Sequence, residues 1–340
     1  MGGLCLYPPF TLWITAHLAP SQEVILEFAE PGAKRIAMSH TNRPNTNFSD
    51  AHRTLTLQPA MGEMIKPSEL IEIKGASGLT LADRRLYNIL LQQAFGPELG
   101  EEGRRFEIAL SDLRDTHDSN DRLTQSIESL MRTVVSIARE DGSTDRVQLL
   151  GWNNLADPKR AHGTLKYSIP PELAVLLKDS RVFAKLELEV LKAFSSKYAL
   201  ALYEAVSRRV RLKHVIMESF TLEDFRELIG VEEGKLKTFG NLNQYAIKPA
   251  LLEINALAYF NVTVAPTKTG RRVTGVIVGW GMKDIDARKQ AYAELQRPKA
   301  GRKARIDGST EEIAKPGYQQ DQFPGLGDSV PGGSVLEDLD

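Results

Sequence analysis

From Leu79 onward, apolar residues recur at spacings of three and four, then alternate with polar ones, and the whole cycle runs twice. The first cycle opens with "LTLADRRLYNILL" (79–91), followed by "IALSDLRD" (108–115). A helix-patterned stretch over 119–135 comes next, then a strand pair ending in "LLGW" (149–152). The second opens with "FSSKYALALYEAV" (194–206), then "FTLEDFRE" (220–227), "NLNQYAIKPALLEINA" (241–256) and strands ending in "IVGW" (277–280). Leu-Tyr stands at 86–87 and again at 202–203, and Gly-Trp closes both cycles. Matches in the same order are the signature of an internal repeat.

Each cycle reads as helix, helix, helix, hairpin. Thr80 with Asp83, and Thr221 with Asp224, have the spacing of a helix-starting capping box. Gly230 after "FRELI" fits a helix C-cap. In "YFNVTVAP", Phe260, Val262 and Val264 alternate; "TKTG" and "RRVTGVIVGW" complete a hairpin with a polar tip. "KLELEVL" (185–191), alternating at Leu186, Leu188 and Val190, predicts a further strand. Three helices and a hairpin make a winged helix-turn-helix. The predicted fold class is α+β, two tandem winged-helix domains in pseudo-symmetric arrangement. The expected division is a poorly structured leader over 1–66, a first domain over 67–192, a second over 193–284, and a largely disordered extension over 285–340.

In the second domain the predicted buried stripe is Leu242, Ala246, Pro249, Ala250, Ile254 and Leu257, leaving Asn241, Asn243, Gln244 and Lys248 exposed. Amide side chains pair with adenine in the major groove, and lysine reaches guanine or phosphate. The wing tip adds Lys268, Arg271 and Arg272, and the end of the first helix adds Arg208, Arg209, Arg211 and Lys213. Pro249 breaks the pattern. It either kinks one helix or begins a new one; the unbroken stripe of the first-domain counterpart favours a single kinked helix. That counterpart buries Leu123, Ile127, Leu130 and Val134 and presents Asn120, Arg122, Gln125, Ser126, Ser129 and Arg132, with Asp121 and Glu128 among them. The two carboxylates weaken its case for phosphate contact, so a share in dimerisation is expected of the first domain.

Composition narrows the alternatives. The chain has 340 residues, 42% hydrophobic and 26% charged, with a formal net charge of −1. Lys283 to Ile306 holds eight Lys/Arg and three Asp/Glu, whereas Asp307 to Asp340 holds eight Asp/Glu and one lysine. This basic-then-acidic pattern is one that polyanion binders and solvated tails share. Cys5 is the single cysteine, which points to a reducing, cytoplasmic setting. "LCLYPPFTLWITAHLA" is too short to span a bilayer and carries Pro8 and Pro9, so no membrane association is expected; Met38, Met61 and Met64 are alternative starts. His17, His40, His52, His117, His162 and His214 are scattered, without metal-ligand spacing. "GVEEGKL" (230–236) lacks the four-residue spacer and the hydroxyl residue of a phosphate loop. The expectation is therefore a protein that is not an enzyme and has no cofactor.

"FSSKYALALYEAV", "FTLEDFRELIGV", "YAIKPALLEINA" and "GRRVTGVIVGW" together resemble the theta-type plasmid replication initiator (Rep) family of bacteria. The resemblance is strong over roughly 190–282, weaker but in order over 70–190, and does not reach the tails. It implies a protein that binds double-stranded DNA at directly repeated origin sites (iterons), melts adjacent DNA and recruits the host initiator and helicase. A monomer–homodimer equilibrium joined through the first domain, with repression of its own operator, is implied as well. A winged-helix transcriptional repressor without initiator activity is the alternative. Carried onto this chain, the main DNA contacts fall on Asn241 to Asn255 and on Lys268 to Arg272.

Overall fold

The computed structural model describes residues 54–113, 120–139, 142–156, 163–212 and 214–309. It also places strands β1 (Ala16–Leu18) and β2 (Val24–Leu26), which pair antiparallel within a separate unit, Met1–Ala51. Everything below concerns the other unit, His52 onward.

The first winged helix begins earlier than its hydrophobic pattern suggests. Leu55 is buried, and β3 (Glu63–Pro67) pairs antiparallel with β9 (Phe183–Glu187), so residues 54–66 belong to the fold rather than to a leader. Between them run α1 (Leu81–Ala94), β4 (Arg105–Ala109), α2 (Leu110–Leu113) and α3 (Asn120–Arg132). The wing β5 (Val134–Ala138) and β6 (Thr144–Gln148) follows, then β7 (Asn153–Leu155), β8 (Thr164–Ser168) and α4 (Pro171–Lys178). β4, β8 and β7 form a three-stranded sheet, and β5 pairs with β6. The Thr80–Asp83 capping box is complete: each side chain accepts the other's backbone N–H. "KLELEVL" is only half strand. β9 ends at Glu187, and α5 (Leu188–Ala193) turns the chain toward the second domain.

The second winged helix comprises α6 (Lys197–Arg209), β10 (Met217–Thr221), α7 (Leu222–Leu228), α8 (Phe239–Leu242), a π-turn over Asn243–Ile247, α9 (Lys248–Leu257), β11 (Phe260–Thr269) and β12 (Arg272–Met282). Its sheet has three strands in the order β10-β12-β11, one more than the predicted hairpin. β10 pairs with β12 from Met217↔Gly279 to Thr221↔Gly275. Its five residues are too few to show a period against the helix that follows. Gly230, at φ +74°, ends α7 as expected, and a Cβ there would run into the Arg84 guanidinium of α1. "GVEEGKL" is a turn, as its position after a helix implied.

Helix α6 is buried on every side from Ala199 to Ser207, the mark of a helix inside a core. It packs on β9 and α1 of the first domain and on α9 of the second. The repeated Leu-Tyr positions meet here. Asn88 follows Leu-Tyr in α1 and Glu204 follows it in α6; Asn88 Nδ2 donates to Glu204 Oε1 at 2.7 Å. Lys66 of β3 completes the group, its Nζ 2.9 Å from both Glu204 Oε2 and Asn88 Oδ1. Burial pulls the Lys66 pKa down, and the Glu204 carboxylate partly restores it. Around this buried centre the domains are joined by Lys74–Asp224, by Lys197 Nζ donating to the Ser77 carbonyl at 2.9 Å, and by a hydrogen bond from Gly75 N–H to Glu227 Oε1.

Past the second wing, α10 (Ile285–Gln296) and α11 (Arg302–Ile306) fold back on α9 and α5, correcting the disordered extension expected from residue 285. Five of the eight cations there bond backbone carbonyls: Lys283, Arg288, Lys299, Arg302 and Arg305. Arg302 is buried and donates to the carbonyls of Ala193, Glu294, Leu295 and Arg297. Of the eight, Lys283 and Arg302 are buried and the other bonding cations cross the surface, and the acidic run from residue 310 lies outside the described residues. Arg302→Ala removes one donor from each of those carbonyls, at a cost of about 1–3 kcal/mol. Hydrogen exchange over 285–306 should accelerate while α6 stays protected; unchanged exchange would show that the helices are held some other way.

Candidate nucleic-acid interface

The second helix-turn-helix is built around its turn. Leu236 sits at φ +47°, a left-handed conformation unusual for leucine, and Arg226 Nη1 holds its carbonyl at 2.8 Å. Thr238 then caps the next helix by accepting from Asn241 N. From Phe239 to Leu257 the helical backbone is continuous, with helical dihedrals at Leu242, Asn243, Ile247 and Lys248. Pro249 therefore does not begin a separate helix. It lacks an N–H, and its ring opposes the carbonyl four residues back, that of Tyr245. The chain accommodates this by widening one turn, so that Lys248 N–H reaches Asn243 O, five residues back.

Leu242, Ala246, Ala250, Ile254 and Leu257 are buried as predicted; Ile247 joins them, while Pro249 is only half-buried. Asn241, Gln244 and Lys248 are exposed and Asn243 is partly so. Tyr245, which the hydrophobic pattern did not single out, is 59% exposed on the same face, and Leu252 is exposed further along it. Lys235 and Lys237, in the turn just before the helix, are exposed cations that were likewise missed, because a turn has no period to mark which residues face out.

Beside this face stands the wing. β11 and β12 stay paired out to Thr269↔Arg272, so the tip is Gly270–Arg271 rather than the four residues "TKTG". Gly270 at φ +61° supplies the positive dihedral of a type II′ hairpin turn. Lys268, Arg271 and Arg272 are exposed there. Among the described residues, none of these three nor Lys248 has a carboxylate partner, so four cations are left facing solvent unneutralised.

Other predicted contacts are placed differently. Arg209 is buried, paired with Glu218 and with Glu72 at 2.6 Å, its guanidinium 5.3 Å from the Phe220 ring centroid. Arg208 is half-buried and bound to the same Glu72 at 2.5 Å. Both link the domains, and Arg209 is withdrawn as a DNA contact, because a buried, doubly paired guanidinium cannot reach phosphate. Arg211 is exposed, its charge beside the Tyr259 hydroxyl. Lys213 lies outside the described residues.

In the first domain, Arg122 and Gln125 are exposed on α3. Asn120 opens that helix, with its side chain outside the described residues. Ser126 is buried, since it falls between Leu123 and Ile127 on the inward stripe. It is withdrawn from the candidate contacts for that reason. Ser129 Oγ donates to Asp83 Oδ2 at 3.1 Å, and Val134, expected inside, is exposed at the start of the wing. Arg132 pairs with Glu128, and Arg139 with Asp145. Arg132 and Arg139 of the first domain are thus neutralised by its own carboxylates, whereas Lys248, Lys268, Arg271 and Arg272 of the second are not, among the described residues.

Two adjoining family profiles match this chain, "Initiator Replication protein, WH1" over residues 63–207 and "Initiator Rep protein, WH2" over 221–280. The chain belongs to the initiator replication protein family. This is a family of non-catalytic DNA-binding proteins, and the two profiles correspond to the two winged helices described above. The first profile takes in α6, consistent with that helix packing in both domains. A "Replication initiation protein" of Escherichia coli is 25% identical over 151 residues, covering 44% of this chain and 45% of that protein. The chain therefore matches less than half the length of this relative. Among solved structures, the crystal structure of Pi initiator protein in complex with iteron DNA aligns with 66% of this chain and 98% of its own, at 16% identity and TM-score 0.47. Domains 2 and 3 of RctB align with 67% of this chain and 95% of theirs, at 12% identity and TM-score 0.36. Among the described residues no helix is long and apolar enough to cross a membrane, and no cluster of His, Cys, Asp and Glu has the arrangement of a metal site.

Proposed function

We propose that this initiator starts replication of a bacterial plasmid from the cytoplasm by binding directly repeated duplex sites at the origin. The observation that carries this reading is the unneutralised set Lys248, Lys268, Arg271 and Arg272 on one helix and its wing, in a chain of initiator family membership. Asn241, Asn243 and Gln244 lie in the first turns of that helix, where side chains reach base edges. Arg122 and Gln125 of the first domain, with Arg211 at the end of α6, extend the contact along the site. Melting of adjacent DNA, recruitment of the host initiator and helicase, and operator repression by a homodimer belong to the same proposal. They rest on family resemblance rather than on a surface described above.

The test supplies the gene in trans to a plasmid that carries only the candidate repeats as its origin. Maintenance of that plasmid is the expected result. Sequence-specific binding without maintenance would leave a repressor, and absence of specific binding would remove the reading altogether.

A further inference from the structure

The π-turn has a consequence for what the recognition helix reads. Leu242, Ala246, Ala250 and Ile254 are all buried, each four residues from the next. In a regular α-helix every four-residue step rotates a side chain by about 40°, so three steps would swing the ends of the row about 120° apart. A turn closed by a five-residue hydrogen bond takes up one extra residue and removes much of that drift. It keeps Leu242 and Ala246 inward while α9 keeps Ala250 and Ile254 inward. The same adjustment leaves Tyr245 standing out between Gln244 and Lys248. Scattered exposed aromatics need no explanation. This one lies where Pro249 enforces the irregularity, and π-turns concentrate at functional sites.

We infer that Tyr245 is a base-reading residue whose ring packs on the C5-methyl group of thymine in the major groove, set in place by the π-turn that Pro249 requires. The chemistry is specific to one base: thymine alone presents a methyl group there, and an apolar side chain is what recognises it. Gln244, its neighbour, has the amide that pairs with adenine, so the two side chains suit A·T-containing steps. The ring needs only to be exposed on the reading face, which it is.

This inference rests on the DNA-binding reading above, and its test separates the two. The probe is a duplex selected from a random-sequence pool by the full-length protein, made with thymine or, position by position, with deoxyuridine, which lacks the methyl. Wild-type protein should lose about fourfold in affinity at one or two positions, the transfer value of a single methyl group. Tyr245→Ala should bind the thymine duplex more weakly and be indifferent to deoxyuridine there, whereas Tyr245→Phe should keep the sensitivity. Pro249→Ala, which permits the ordinary bond to the Tyr245 carbonyl, should blunt the same sensitivity while leaving the salt dependence unchanged. If Tyr245→Ala binds as tightly as wild type, or still discriminates thymine from deoxyuridine at those positions, the inference fails while DNA binding stands. If the pool yields no preferred duplex, the reading beneath it fails instead.

Discussion

Glu204→Ala is expected to destabilise the fold by about 3–5 kcal/mol, the cost of removing one partner from a buried ion pair. Glu204 is 3% exposed, and it accepts hydrogen bonds from Lys66 at 2.9 Å and from Asn88 at 2.7 Å. Alanine would leave the Lys66 ammonium buried with Asn88 as its only partner. Urea denaturation followed by circular dichroism measures the change. A loss below about 1 kcal/mol would mean that water enters and solvates the lysine.

Glu204→Gln isolates the charge from the shape. The folded pKa of Lys66 already lies below its ordinary value through burial, so the unfolded chain binds the proton more readily than the native one. Stability of the glutamine variant should accordingly rise with pH through the window between that lowered value and about 10.4, the unfolded lysine pKa. Loss of the proton removes the unpaired charge. Lys66→Met combined with Glu204→Leu, which removes both charges together, should cost far less than either single change.

Arg271→Ala with Arg272→Ala is expected to weaken binding to all duplexes alike and to lower the slope of log affinity against log salt by about one to two units. Both residues are exposed at the wing tip and unpaired among the described residues, so the fold should not respond. Anisotropy titrations over a range of salt provide the measurement, and an unaltered slope would take the wing out of the interface. Gln244→Ala is the contrasting case: roughly 1–3 kcal/mol lost at particular base pairs with the salt slope intact. Uniform weakening across sequences would make Gln244 a positioning residue only.

The hydrophobic pattern carried a large part of the fold. Thr80–Asp83 and Gly230 marked real helix ends because caps are local: donor, acceptor and backbone dihedral all lie within a few residues. The strand β10, the split of "KLELEVL" and the helices α10 and α11 were not legible. Each takes its conformation from partners far along the chain, namely β12, β3 and the α5–α9 surface. Cations divided along the same line. The exposure of the wing cations and of Lys248 could be read from their surroundings in sequence, whereas Arg208 and Arg209 looked equally basic until Glu72, 136 and 137 residues away, proved to hold them.

By itself, then, the sequence determined the repeat, the two winged helices, the exposed polar face of the second domain's third helix and the absence of an enzyme motif. These follow from periodicity and short-range chemistry, which the order of residues contains directly. Only the tertiary structure decided that Glu204 and Asn88, equivalent positions of the two repeats, bond each other across the domains. It also decided that five of the cations between Lys283 and Arg305 bind backbone carbonyls of the chain, and that Pro249 widens a turn instead of breaking a helix. Those outcomes depend on which groups meet at close range after folding. A carboxylate 2.7 Å from an amide, or a carbonyl displaced by a proline ring, is a fact of distance that spacing along a chain does not contain.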